Sequence, residues 1–154
     1  MRISGVEFNF NFKAIEFYVS GCSGRCPGCH NKELWDFNIG VKYKHAVNSV
    51  KESLNSQYFD KIWILGGEPL DQDLLEMERF LYILQPHKKT MWLWTSGSVD
   101  DVFEFGIYHH FDRIKTGAFI EERFPQAYMH HIDGLDIPLA SSNQYIKKIK
   151  RLRM

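Results

Sequence analysis

The sequence predicts an α/β domain: a partial (βα) barrel of parallel strands joined by helical crossovers. Three observations carry that prediction. Short apolar runs alternate with helical stripes, the order that produces a parallel sheet. The first strands end abruptly in glycine or small polar residues, which puts turns at the carboxyl ends, where such folds bind ligands. And 154 residues fall well short of the roughly 250 needed for eight strand–helix units, while sufficing for one well-packed domain over residues 1–154.

The elements follow in order. Ala14-Ile15-Glu16-Phe17-Tyr18-Val19-Ser20 is β-rich and stops at Gly21. From Tyr43 to Gln57 the apolar positions Tyr43, Val47, Val50 and Leu54 make a helical stripe. Lys61-Ile62-Trp63-Ile64-Leu65 is a nearly continuous apolar run of the kind buried in parallel sheets, and it ends at Gly66-Gly67-Glu68-Pro69. A second helix is marked by Asp71 as N-cap and by Leu74, Leu75, Met77, Phe80, Leu81 and Leu84. Thr90-Met91-Trp92-Leu93-Trp94 is a third strand, closed by Thr95-Ser96-Gly97. A short helix over Val99 to Phe105, a strand near Asp112–Lys115 ending at Thr116-Gly117, and a last strand at Tyr145 to Ile149 complete the pattern. The cysteine-containing loop after the first strand, the Gly-Gly-Glu-Pro turn and the Thr-Ser-Gly turn therefore share one rim.

Composition narrows the class. Hydrophobic residues make up 44% and aromatics 15%, which excludes a disordered chain. Nineteen basic and 19 acidic side chains cancel, so no global field recruits nucleic acid or an anionic membrane. No apolar run is long enough to span a bilayer. Arg2, Glu7, Lys13 and Glu16 interrupt what a signal peptide would need as its apolar core. The expectation is a soluble cytoplasmic protein with neither nucleic acid nor membrane as partner.

All three cysteines, Cys22, Cys26 and Cys29, lie in one loop, Gly21-Cys22-Ser23-Gly24-Arg25-Cys26-Pro27-Gly28-Cys29-His30-Asn31. In a reducing compartment such a cluster points to metal or redox chemistry rather than to disulfides. A [4Fe–4S] cube normally takes four thiolates; three leave one iron open to a small molecule that binds through nitrogen and oxygen. Two other readings fit parts of the loop. Zinc would need a fourth ligand, for which His30 is the neighbour. Cys26-Pro27-Gly28-Cys29-His30 has the spacing of covalent haem attachment, which leaves Cys22 unused.

The C-x3-C-x2-C loop at the end of the first strand, paired with Gly66-Gly67-Glu68-Pro69 one strand later, resembles the radical S-adenosylmethionine (SAM) enzymes. Cys26-Pro27-Gly28-Cys29-His30-Asn31, Trp35, Trp94-Thr95-Ser96-Gly97 and Ser141-Ser142-Asn143-Gln144 are similar to the glycyl-radical activases, in particular to the activating proteins of anaerobic ribonucleoside-triphosphate reductase. The likeness runs from about Phe17 to Ile149. It implies a radical SAM fold and a cluster held by Cys22, Cys26 and Cys29. It also implies SAM contacts at Gly28, Cys29, His30, Gly66, Gly67, Glu68, Thr95 and Ser96. The implied activity is cleavage of SAM to a 5′-deoxyadenosyl radical that installs a glycyl radical on the reductase, with cluster and SAM rather than a side-chain acid or base doing the chemistry. An electron donor such as flavodoxin would be a second partner. His30 stands where tyrosine is common in these activators; a histidine there instead resembles the pyruvate formate-lyase activase, and Gly28 replaces an aromatic residue, leaving His30 to stack on adenine. An activase for another glycyl radical enzyme is the alternative within the class; a non-catalytic metal-binding module is the alternative outside it.

Other features have plain readings. Paired histidines at His109-His110 and His130-His131 offer metal ligands but are commonly solvated in loops. Trp63, Trp92 and Trp94 belong to core strands. The basic tail Lys147, Lys148, Lys150, Arg151 and Arg153 suits an acidic partner surface or a solvated terminus equally.

Overall fold

The structure is a computed structural model that describes residues 1–24, 27–29, 32–120, 123 and 128–149. Strands β1 (Arg2–Asn9) and β2 (Ala14–Val19) open the chain, followed by β3 (Val41–Lys42), α1 (Tyr43–Ser49), α2 (Lys51–Asn55), β4 (Lys61–Gly66), α3 (Leu74–Leu84), β5 (Thr90–Trp94), α4 (Val99–Phe105) and β6 (Arg113–Thr116). A hairpin of β7 (Met129–Ile132) and β8 (Leu135–Pro138) precedes β9 (Tyr145–Lys148). The main sheet has the order β3-β1-β2-β4-β5-β6-β9.

The expected parallel succession forms the centre: β2 pairs with β4, β4 with β5 and β5 with β6, all parallel. On both sides the sheet turns antiparallel, through β1 and β3 at one edge and β9 at the other. The class is α/β and the sheet stays open, but the expectation of parallel strands throughout is corrected. Residues 2–9 and 129–138, for which no strand is expected from the sequence, pair through backbone hydrogen bonds. Their faces are half-exposed and interspersed with polar residues, so no apolar run announces them.

Strands β2, β4 and β5 bury both faces, whereas β6 buries only the face of Ile114 and Thr116. Ile15, Phe17, Val19, Ile62, Ile64, Met91, Leu93 and Ile114 pack against Met77, Phe80, Leu81 and Leu84 of α3 and against Tyr43, Ala46, Val47 and Val102. Phe80 meets Phe17 edge-on at 5.4 Å, a geometry that adds to simple area burial. The alternate residues, Ala14, Trp63 and Trp92 with Leu65 and Trp94 beside them, pack on Ile137, Leu139 and Ile146. The three tryptophans are core, as expected, with Trp63 set 5.4 Å from Trp92 and 4.9 Å from Trp94.

Two helix boundaries differ from expectation. The stripe from Tyr43 is split at Val50, whose φ of −119° and ψ of 21° break the helix; the break still buries Leu54 on α2. The N-cap of α3 is Asp73, whose carboxylate accepts from Glu76 N–H at 2.9 Å. Asp71 sits instead in a preceding 3-10 turn, Pro69–Asp71. The short helix α4 has the expected span and is fixed by a capping box between Ser98 and Asp101. Among the described residues no helix is long and apolar enough to cross a membrane.

Candidate functional site

The loops after β2, β4 and β5 leave the same edge of the sheet and lock together through backbone. The cysteine loop is pinned where it starts: Gly21 N–H donates to the Leu34 carbonyl at 2.8 Å, and Cys22 N–H to the Trp35 carbonyl at 3.2 Å. The turn after β4 then threads against it. Gly67 N–H donates to Val19 at 2.9 Å and Glu68 N–H to Gly21 at 2.8 Å. Gly66 has φ +120°, and a Cβ there would lie 2.5 Å from Val19 N; a Cβ on Gly67 would collide with the Gly21 carbonyl oxygen and press on that of Leu34. These two glycines are required for backbone to approach backbone where the two loops cross.

Glu68 joins the second loop to the third. The residue is 5% exposed. One carboxylate oxygen accepts from Leu70 N–H at 2.9 Å and Thr95 Oγ1–H at 2.7 Å. The other accepts from Ser96 N–H at 2.6 Å and Ser96 Oγ–H at 2.5 Å. A carboxylate has about four acceptor positions, so the chain itself fills it. Thr95 Oγ1 accepts in turn from Gly97 N–H at 3.0 Å, and Gly97 carbonyl receives Gly117 N–H at 3.1 Å from the loop after β6.

Two residues not expected at the site anchor the cysteine loop. Gln72 is buried, and its Nε2 donates to the carbonyls of Ser20 at 3.1 Å, Gly21 at 3.3 Å and Glu68 at 3.1 Å. Asp71, expected to cap a helix, accepts from Ser23 N–H and Ser23 Oγ–H, both at 2.8 Å. A signal was available: Leu70-Asp71-Gln72 follows Gly-Gly-Glu-Pro directly, so a turn that short returns polar side chains to the preceding loop.

Cys22 and Cys29 are half-buried, as is Gly28, which adopts φ +73°. Cys26 and His30 lie outside the described residues. Cys22 and Ser23 line a cleft of about 550 Å³ with Lys32, Trp35, Asp36 and Phe37. The site thus links Glu68 directly to Thr95 and Ser96, and the Gly66-Gly67 turn through Val19 and Gly21 to the loop that carries Cys22. Its donor set suits iron–sulfur chemistry, since soft thiolates select such clusters.

Below this rim, on the sheet face that carries the tryptophans, Glu16 is 8% exposed. Burial and the facing Glu7 hold its carboxyl above the usual carboxylate range. Tyr18, whose Oη donates to Glu16 at 3.4 Å, is pushed up by burial and by the same two carboxylates. The Ser141–Gln144 segment closes the far side: Gln144 Nε2 donates to the Gly117 carbonyl at 2.9 Å and Asn143 Nδ2 to Ala118 at 2.8 Å. Its work in the fold is to hold the loop after β6.

Comparison with known proteins agrees with this arrangement. A family model described as a 4Fe-4S single cluster domain matches residues 13–147. The chain is similar to the anaerobic ribonucleoside-triphosphate reductase-activating protein of Enterobacteria phage T4, 27% identical over 117 residues covering 72% of this chain and 73% of that one. It is also similar to the protein of the same name from Haemophilus influenzae, 27% identical over 145 residues and 86% of each chain. A third such protein, from Salmonella typhimurium, is 32% identical over 92 residues, 55% of this chain and 59% of its own. With most of its length matched, and with a loop of thiols held at the carboxyl edge of a parallel sheet, the chain belongs to the 4Fe-4S single cluster domain family of iron–sulfur proteins.

Proposed function

We propose that this chain is an iron–sulfur, SAM-dependent activase that installs a glycyl radical on an anaerobic ribonucleoside-triphosphate reductase. In this reading residues 1–154 form one radical SAM domain working in the cytoplasm, with a small electron carrier such as flavodoxin as donor. The observation that carries it is the locked rim: the cysteine loop, the Gly66-Gly67 turn and the Thr95-Ser96 turn held at one sheet edge by Glu68, Gln72 and Asp71. The relatives' shared name, that of a protein activating an anaerobic ribonucleoside-triphosphate reductase, supports the partner; the reaction is what the resemblance to glycyl-radical activases implies.

Cys22, Cys26 and Cys29 would hold a [4Fe–4S] cluster, and the backbone of Gly28, Cys29, Gly66 and Gly67 with the side chain of His30 would surround SAM. When bound, cluster and SAM supply the one-electron chemistry that removes a hydrogen atom from a glycine of the partner. The chain's own residues do the rest. Asp71 fixes Ser23 and so the start of the cysteine loop. Glu68 sets the spacing of the two SAM-facing turns and presents Thr95 and Ser96, its carboxylate being committed to the chain. Leu34 and Trp35, through their carbonyls, close the loop's return.

The test is anaerobic mixing of the cluster-loaded protein with the reductase, SAM and a reductant. A glycyl doublet in electron paramagnetic resonance is expected, absent with Cys29→Ala. An intact cluster and intact SAM binding without any doublet would remove the activase reading.

A further inference from the structure

We infer that Glu78, His109 and His110 form a second metal site, for a divalent ion of the zinc type, at the opposite edge of the sheet from the cysteine loop. Glu78 lies on α3, while His109 and His110 end the 3-10 turn Tyr108–His110 that leads into the amino end of β6. One ligand atom from each of the three residues lies within 4.8 Å of the others. His110 Nε2 is 2.8 Å from Glu78 Oε2, and the two imidazole centroids are 4.1 Å apart.

That convergence is not imposed by the turn. Consecutive residues of a 3-10 helix project roughly 120° apart, yet both rings gather beside one carboxylate. His110 is 5% exposed and braced edge-on by Tyr82 at 5.5 Å, one helical turn beyond Glu78. His109 is exposed and Glu78 half-buried, so one side of the group opens to solvent. Two imidazoles and a carboxylate are a common zinc donor set, leaving a fourth position for water. Metal–ligand bonds near 2.0–2.1 Å in a tetrahedron place ligand atoms roughly 3.3 Å apart. The His110–Glu78 pair, at 2.8 Å, opens slightly to reach that value, and the His109 ligand atom, already within 4.8 Å of both, adjusts as an exposed side chain can. The other pair, His130-His131, is on strand β7, where neighbours face opposite ways, and it gathers no such set among the described residues.

The site is independent of the proposed activity and is tested apart from it. Protein with its cluster already assembled, so that iron occupies the thiols, is equilibrated anaerobically with Zn²⁺ and desalted. About one zinc per chain is expected, and zinc-edge X-ray absorption should show nitrogen and oxygen neighbours only. His109→Ala and Glu78→Gln, neither of which empties the buried core, should each weaken zinc binding at least tenfold while iron and sulfide stay unchanged. The same readouts apply to a chain with Cys22, Cys26 and Cys29 all replaced by alanine, should a cluster fail to assemble. No retained zinc, sulfur in its coordination sphere, or equal binding by the variants would overturn the inference.

Discussion

Glu68→Gln separates a residue that holds two turns together from one that only touches a ligand. The carboxylate receives two backbone N–H groups, from Leu70 and Ser96, and two hydroxyls, from Thr95 and Ser96. An amide keeps one acceptor oxygen and turns its NH2 toward the donors of the other side. Hydroxyls can rotate to accept, but a backbone N–H cannot, so either amide orientation strands one buried N–H. That omission costs about 1–3 kcal/mol, and loss of charge from the bonds that survive adds about 1 kcal/mol. A destabilisation of about 2–4 kcal/mol in a chain of this size lowers the melting temperature by roughly 5–15 °C. The assay is thermal unfolding by circular dichroism without SAM, with and without the cluster. A variant that melts within about 1 °C of the parent, yet fails to bind SAM, would refute the account and return Glu68 to the role of a ligand contact.

Three further outcomes follow from the same geometry. Gly67→Ala drives a methyl group into the Gly21 carbonyl, and should cost at least ~2 kcal/mol and lower iron content; a normal melt with full iron would contradict the backbone contact. Asp71→Ala removes the acceptor for Ser23 N–H and Oγ–H on an exposed surface, so melting should hardly change while a chelator strips iron faster; identical release times would show that Asp71 does not steady the loop. Glu16 has its folded-state pKa raised above the unfolded value, so the folded protein binds the proton more tightly and stability falls as pH rises through that window. Glu16→Gln should therefore raise the melting temperature at pH 8 and leave it nearly unchanged at pH 3, and a gain confined to acid would reverse the assigned sign.

Strands β4 and β5 were legible because they are buried on both faces, as the unbroken runs Ile62-Trp63-Ile64 and Met91-Trp92-Leu93 announce. Strand β1 was not, since only Ile3 among its residues is fully buried and Gly5 interrupts the pattern. Its pairing is a tertiary choice, made by the unsatisfied edge of β2. The cysteine spacing and the Gly-Gly-Glu-Pro turn could be read together, but what each side chain does there could not. Glycine permits close approach by ligand and by backbone alike, and the sequence does not place Val19, Gly21 and Leu34 beside the turn as the fold does. For Asp71 the competing role was helix capping; Asp73, two residues on, does that, which leaves Asp71 to reach Ser23.

The rim is set by the chain before anything binds, and this divides the work of recognition. Glu68 has no acceptor position to spare, Gln72 spends its amide hydrogens on three carbonyls, and Thr95 Oγ1 both donates and accepts within the fold. Ordering these turns therefore adds little to the cost of binding, which is how a rigid site gains affinity without extra contacts. In the proposed reading, the same commitment leaves thiols, backbone groups and the walls of the cleft to meet a ligand. Substitution of the conspicuous polar residues should then register first as lost stability, and as lost binding only through displaced turns. Paired melting and binding measurements on Glu68 and Gln72 variants should consequently fall together, whereas a true contact residue would lose binding alone.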